Sequence, residues 1–328
     1  MPSWAHVLKE IAREKDDAGG LSAVDKVRMR YLNEFADHTG RNIIAYYSGF
    51  LSKPQRTEGM DINDEDKTGF MTCMHKVDKK KGLDLFLHTP GGSIAAAESL
   101  VNYIKQIYGN DVRAFVPQIA MSAGTMMALS CKEIFMGKHS NLGPFDPFIN
   151  GLSAYAIIKE IETAYAEILA DNKRSFIWNP ILSRYTPGFV QQCHWGVDRA
   201  KAIVSKFLKE NMMATHPERD SLVDSIVHKM TDLSDNKGHD KHIHYQECLD
   251  LGLTVNSLEA PENKKLQDLT LTLHHCYIYT MSNTGCIKII ENQQDKRFLK
   301  MLTPPAPTIL LQQPGLPSSN SLILPDSV

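Results

Sequence analysis

Cysteine is sparse and unpatterned in this 328-residue chain: Cys73, Cys131, Cys193, Cys248, Cys276 and Cys286 are scattered, with no Cys-x-x-Cys pair. That excludes the common zinc and dithiol motifs and implies no disulfide framework. Excess charge is missing too. A net charge of −2 gives no electrostatic case for nucleic acid or an anionic membrane as the main partner. Lys79-Lys80-Lys81 reads as a short solvated loop. The longest apolar stretch, Ala114 to Cys131, is broken by Pro117, Gln118, Ser122, Gly124 and Ser130, so no transmembrane segment is expected. The start, Met1-Pro-Ser-Trp-Ala-His6, lacks the layout of a signal peptide, and a cytoplasmic location is the simplest expectation. No Gly-x-Gly-x-x-Gly fingerprint occurs, so no nicotinamide cofactor is expected, nor any other.

What the chain does have is alternation. Pro2–Lys15 and Leu21–Thr39 read as helices, Ile43–Phe50 as a strand, Arg56–Lys67 as a loop and Thr68–Val77 as a short helix. From Leu83 onward the pattern runs strand 83–88, helix 93–108, strand 112–119, helix 122–131, strand 133–137. Such alternation across short turns predicts right-handed crossovers and a mainly parallel sheet. Helical spacing returns in Ser153–Lys173, Pro187–Asn211 and Pro217–Asp232. A short helix from Glu247 to Leu251 then leads into a strand near Val255, and an amphipathic helix after residue 262 leads to strand-like Cys286–Ile290. The expected organisation is an N-terminal helical extension (1–40), a main α/β domain (41–257), a C-terminal helix-strand extension (258–302) and a Pro-rich, disordered tail (303–328).

Two junctions carry chemistry. The apolar run Leu83–His88 ends in Thr89-Pro-Gly-Gly92, where glycine lets backbone N–H groups approach a ligand at a helix start. Thirty residues after Gly92, a second apolar run ends at Ser122, set among Ala120, Ala123 and Gly124. Ser122 can be an ordinary helix N-cap bonding the amide of Thr125 or Met126. Paired with the glycine turn one crossover earlier, it reads as a nucleophile beside an oxyanion hole.

His88-Thr-Pro-Gly-Gly92 followed by Ala120-Met-Ser-Ala-Gly-Thr125 resembles the two signature turns of the Clp-protease/crotonase superfamily. The closer likeness is to the serine dehydrogenase proteinase family, related to signal-peptide peptidase A. Leu142-Gly-Pro-Phe-Asp-Pro147, Ile149-Asn-Gly151, the stretch from His239-Asp240 to Leu251-Gly-Leu253, and Lys288-Ile-Ile-Glu-Asn292 share it, over about residues 40–300. The resemblance implies an α/β fold of repeated strand-strand-helix units with added N- and C-terminal helices. It implies a serine peptidase cleaving extended peptide or unfolded protein segments, and a Clp-like catalytic domain at 41–257. Asp146 stands 24 positions after Ser122, where Clp proteases carry their histidine base, and the Clp aspartate position falls at Asp240, beside His239. The implied triad is Ser122, Asp146 and His239, with the amides of Gly91, Gly92 and Ala123 as oxyanion donors.

Alternatives stay open on the sequence alone. His242 or His244 can replace His239 as base, and the run His-x-x-His-x-His can bind a metal, although no ligand set completes it. The lysine base of signal-peptide peptidases makes Lys173 a rival, in a polar setting ill suited to a depressed pKa. His194 and His139 read as surface. A crotonase-like acyl-CoA enzyme and an inactive peptide-binding scaffold are the other functional readings. A homo-oligomer is expected, because the apolar helix Leu266–Tyr279 and the tail clusters Ile309–Leu311 and Leu322–Leu324 ask for cover.

Overall fold

The computed structural model describes residues 4–17, 20–231, 238 and 240–302. Helices α1 (Trp4–Arg13) and α2 (Ala23–Thr39) come first. Ser22 caps α2 through its hydroxyl, which accepts the Asp25 amide at 3.3 Å, while the Asp25 carboxylate returns to the Ser22 amide at 3.2 Å. Then follow β1 (Asn42–Ser48), α3 (Asp66–Met74), β2 (Leu83–His88), α4 (Ile94–Tyr108), β3 (Val112–Val116), β4 (Ile119–Ala120), α5 (Ala123–Leu129), β5 (Glu133–Met136) and β6 (Asn141–Leu142). A small hairpin, β7 (Phe148–Ile149) and β8 (Leu152–Ser153), leads into α6 (Ala154–Ala170), α7 (Ser175–Leu182), α8 (Phe189–Glu210) and α9 (Arg219–Thr231). The chain closes with β9 (Ile243–His244), α10 (Tyr245–Asp250), β10 (Val255–Ser257), α11 (Lys264–Asn283), β11 (Cys286–Asn292) and β12 (Arg297–Met301).

Seven strands form the main sheet in the order β10-β5-β3-β2-β1-β11-β12. The first five are parallel, and β11 and β12 are antiparallel additions. Both faces are covered, which is why β1 and β2 are buried at every position. Side chains still alternate: Ile44 and Tyr46 enter the core toward α4, α5, α8 and α9, whereas Ile43, Ala45 and Tyr47 meet α2 and α11. On the second face Phe86, Phe115 and Phe135 stack across three neighbouring strands with ring centroids 5.1 and 4.6 Å apart. These pairs reinforce the register. A second sheet, β4-β6-β9, stands at the C-terminal ends of the main strands. The strand-strand-helix unit is plain in β3-β4-α5. All six cysteines are free and buried.

Several expectations need correction. The strand read from 112 to 119 is two strands, because Pro117 cannot continue a ladder and the chain turns there into the second sheet. Helix α7 was not foreseen, nor was edge strand β12. The C-terminal segment expected as an extension supplies β11 and β12 to the main sheet. Helix α11, expected to need a partner copy, is covered by its own chain: Leu266, Leu269, Leu273, Tyr277 and Met281 are buried against α2 and the sheet. The tail clusters Ile309–Leu311 and Leu322–Leu324 lie outside the described residues.

Candidate active site

Ser122 occupies the bend between β4 and α5 with φ 51° and ψ −117°, a conformation L-residues avoid. Such a residue costs on the order of 1–3 kcal/mol, so its surroundings must enforce it. The enforcing bonds come from the turn itself and from the segment after β6. The Gly124 amide donates to the Met121 carbonyl at 2.8 Å and the Met126 amide to the Ser122 carbonyl at 3.1 Å. Thr125 Oγ1 donates to the Ala120 carbonyl at 2.7 Å and accepts the Gly143 amide at 3.0 Å. At the N-cap position of α5, the Ser122 hydroxyl makes no capping bond. The capping alternative therefore does not hold.

The glycine turn packs directly behind this bend. Thr89 and Ala120 pair, with the Thr89 amide on the Ile119 carbonyl and the Met121 amide on the Thr89 carbonyl, each at 3.1 Å. A Cβ on Gly91 (φ 96°) would lie 2.7 Å from both the Met121 carbonyl oxygen and Ser122 Cβ, so only glycine permits the approach. The Gly91 amide is already spent, donating to Thr89 Oγ1 at 3.2 Å. Gly92 (φ 150°) pairs edge-on with Ile62: the Ile62 amide donates to the Gly91 carbonyl at 2.8 Å and the Ser93 amide to the Ile62 carbonyl at 2.9 Å. In an extended segment these groups point one way and the Gly92 amide the other. Neither the Gly92 nor the Ala123 amide hydrogen-bonds to a described residue.

These groups open on a cleft of about 500 Å³ lined by Arg56, Asp61, Pro90, Gly92, Ser93, Ile94, Ser122, Pro147 and Phe148. Arg56 and Asp61 are ion-paired at 2.6 Å on one wall, and Phe148 stands 52% exposed at the rim. Asp146, next in the chain to the lining residues Pro147 and Phe148, is buried, and Ser153 Oγ donates to its carboxylate at 2.7 Å. The same Ser153 oxygen accepts the Ala156 amide at 3.1 Å and so caps α6.

The histidines sort by position. His239 lies outside the described residues. Its described neighbours Asp240 and Lys241 precede β9, whose pairing with β6 brings them to the end of the second sheet from which Ser122 and Asp146 emerge. The Lys241 carbonyl comes within 3.6 Å of the Cβ position of Gly143. His242 and His244 are exposed, and His244 pairs with Asn141, toward the opposite end of that short ladder. Lys173 is exposed beyond α6, His194 is exposed on α8, and His139 lies half-exposed 3.9 Å from Glu259. Among the described residues, none hydrogen-bonds Ser122 Oγ, and no three potential ligands gather to hold a metal. Sequence reasoning missed the wall Arg56–Ile62, which it read as a bare loop, and Ser153 beneath Asp146.

A model of the ClpP-like SDH-type serine proteinases matches residues 47–272. The chain belongs to that family. Two uncharacterised proteins of Methanocaldococcus jannaschii are similar to this SDH-type chain. One is 28% identical over 222 residues, covering 63% of this chain and 65% of the relative. The other is 32% identical over 137 residues, covering 40% and 46%. The SDH-type chain thus spans less than two thirds of the length of either. A ClpP1 mutant from Listeria monocytogenes superposes over 70% of this chain and 98% of that one, with 13% identity and a TM-score of 0.36, too distant to bear on the site. Among the described residues no helix is long and apolar enough to cross a membrane.

Proposed function

We propose that this protein is a serine peptidase that cleaves peptide bonds in extended peptides or unfolded protein segments. One observation carries the reading: the uncapped hydroxyl of Ser122, strained into the cleft, with the Gly92 and Ala123 amides bonded to no described residue. Ser122 Oγ attacks the scissile carbonyl, and the Gly92 and Ala123 N–H groups receive the oxyanion; one such donor is worth roughly 10²–10³ in rate. His239 takes the hydroxyl proton and returns it to the departing amine, and Asp146 orients the imidazole. Water then hydrolyses the acyl-enzyme. The chemistry requires no cofactor. An extended substrate suits the outward side of the Gly92 peptide, which pairs with no described residue.

A fluorophosphonate probe tests this. Covalent labelling that disappears in Ser122→Ala is expected. An intact fold that never labels would sink the peptidase and favour a peptide-binding scaffold. The base is tested in the same assay: His239→Gln should slow labelling by about 10²–10⁴, while His242→Gln and His244→Gln stay within about twofold of wild type.

We infer further that the molecule self-associates and works in the cytoplasm. Its six free thiols suit a reducing compartment. Helices α6 and α7 expose Tyr165, Leu169, Phe176 and Ile177, and α7 buries no residue at all. A second copy of the chain is the partner proposed for this face. Light scattering that returns a monomer of 36.8 kDa at micromolar concentration would overturn it.

A further inference from the structure

Behind the cleft wall lies a buried ion pair that the acyl-transfer chemistry leaves unused. Lys288 on β11 and Asp66 at the start of α3 are fully enclosed, with Lys288 Nζ 2.6 Å from Asp66 Oδ1. Asp66 Oδ2 accepts the Tyr46 hydroxyl at 2.8 Å and the Asn63 amide at 3.0 Å. The ammonium lies 5.4 Å from the centre of the Tyr46 ring. Burying such a pair costs desolvation that its attraction only partly offsets, so stability alone is a weak reason to keep one. Burial pulls the Lys288 pKa down and Asp66 opposes the shift.

The second donation of Lys288 is informative. Its Nζ also bonds the Asp61 carbonyl at 2.8 Å. Asp61 lines the cleft, and the next residue, Ile62, bonds both the Gly91 carbonyl and the Ser93 amide. The Ile62 amide nitrogen and carbonyl oxygen each lie 2.4 Å from where a Gly92 Cβ would stand, so the turn has no slack on that side. A continuous chain of bonds therefore runs from Lys288 through Asp61–Ile62 to the peptide carrying the Gly92 amide.

We propose that Lys288, fixed by Asp66 and Tyr46, is a positioning residue: it holds the Asp61–Ile62 strap that sets the Gly92 amide at the oxyanion position. This rests on the peptidase reading for its consequence in catalysis, though not for the brace itself. Lys288→Met keeps the length and removes the donor. In the folded variant the maximal rate of fluorophosphonate labelling at Ser122 should fall about tenfold or more, with the probe's half-saturating concentration within about twofold. The Ile62 and Ser93 amides should exchange hydrogen about tenfold faster, while the Ala97 amide in α4 keeps its wild-type rate.

A merely structural pair would lower labelling only in proportion to the unfolded fraction and leave those two amides no faster than Ala97. Either result overturns the proposal. So does faster exchange with undiminished labelling. If wild type does not label at all, the peptidase reading fails while the exchange measurement still decides the brace. Should Lys288→Met not fold, Asp66→Asn, which loosens the ammonium without removing it, must show both effects at smaller size.

Discussion

At Ser122 the backbone is held where glycine is the natural occupant, at φ 51°. Ser122→Gly should therefore raise stability by about 1 kcal/mol by urea denaturation while abolishing labelling; Ser122→Ala keeps the Cβ and should gain nothing. Equal stability of the two variants would show that the bend is unstrained. A second residue-scale expectation concerns His88 and His274, buried together beside Tyr47 with ring centroids 5.3 Å apart. Burial pushes the His88 pKa down to about 3, and His274 is driven well below 6.5 by burial first, then by its histidine neighbours. Both stay neutral in the folded chain while unfolded histidines take up protons below pH 6.5. Stability intact above that pH is then lost as pH falls toward 3, by about 1.4 kcal/mol per unit for each group. His88→Phe should flatten this acid limb in denaturation curves at pH 7, 6 and 5; an unchanged slope would refute the assignment. Ser122 and Gly92 were legible in the sequence because close backbone approach demands small residues in a row. Lys288 was not, since its partners lie 222 and 227 positions away and nothing local marks them.

Among elements, the long ones followed their spacing and the short ones did not. Helices α4, α8 and α11 carry apolar residues at intervals of three and four, and the structure has them within a few residues of expectation. Strands β4, β6 and β9 are two residues each, too short for any period, although together they assemble the site. Helix α7 fell into a gap because Asn172-Lys-Arg174 and Pro180 interrupt its pattern. It is also the element with most to reveal. Phe176 is 83% exposed, so Phe176→Asp with Ile177→Asp should leave stability within about 0.5 kcal/mol. The same pair should shift the light-scattering mass toward the monomer. A mass unaltered by both charges would place the interface elsewhere.

For the molecule as a whole, the ends hold the middle. Arg28 of α2 is fully buried against Glu291 of β11, where Tyr277 of α11 also donates to Glu291 at 2.6 Å and Thr280 accepts from Arg28 at 3.0 Å. Glu291 keeps the guanidinium charged despite its burial. Glu291→Gln leaves that buried cation with only the partly exposed Asp25, at 2.6 Å, as counter-charge, and should cost about 3–5 kcal/mol, whereas the paired change Arg28→Met with Glu291→Met should cost much less. Chemical denaturation of all three proteins decides it: equal losses would mean that the charges do not interact. The pairing was not legible in the sequence, where Arg28 and Glu291 stand 263 positions apart.

Strand β11 has one more consequence, in time rather than space. It lies beside β1 in the sheet but leaves the ribosome far later than β1, and Lys288 travels with it. The nucleophile bend and the glycine turn emerge long before. A nascent chain therefore carries Ser122 and the Asp61–Ile62 strap without the lysine proposed to brace it, and the proposed oxyanion geometry waits for β11. On the proposed peptidase reading, synthesis itself keeps the unfinished site idle among the unfolded chains it would otherwise attack.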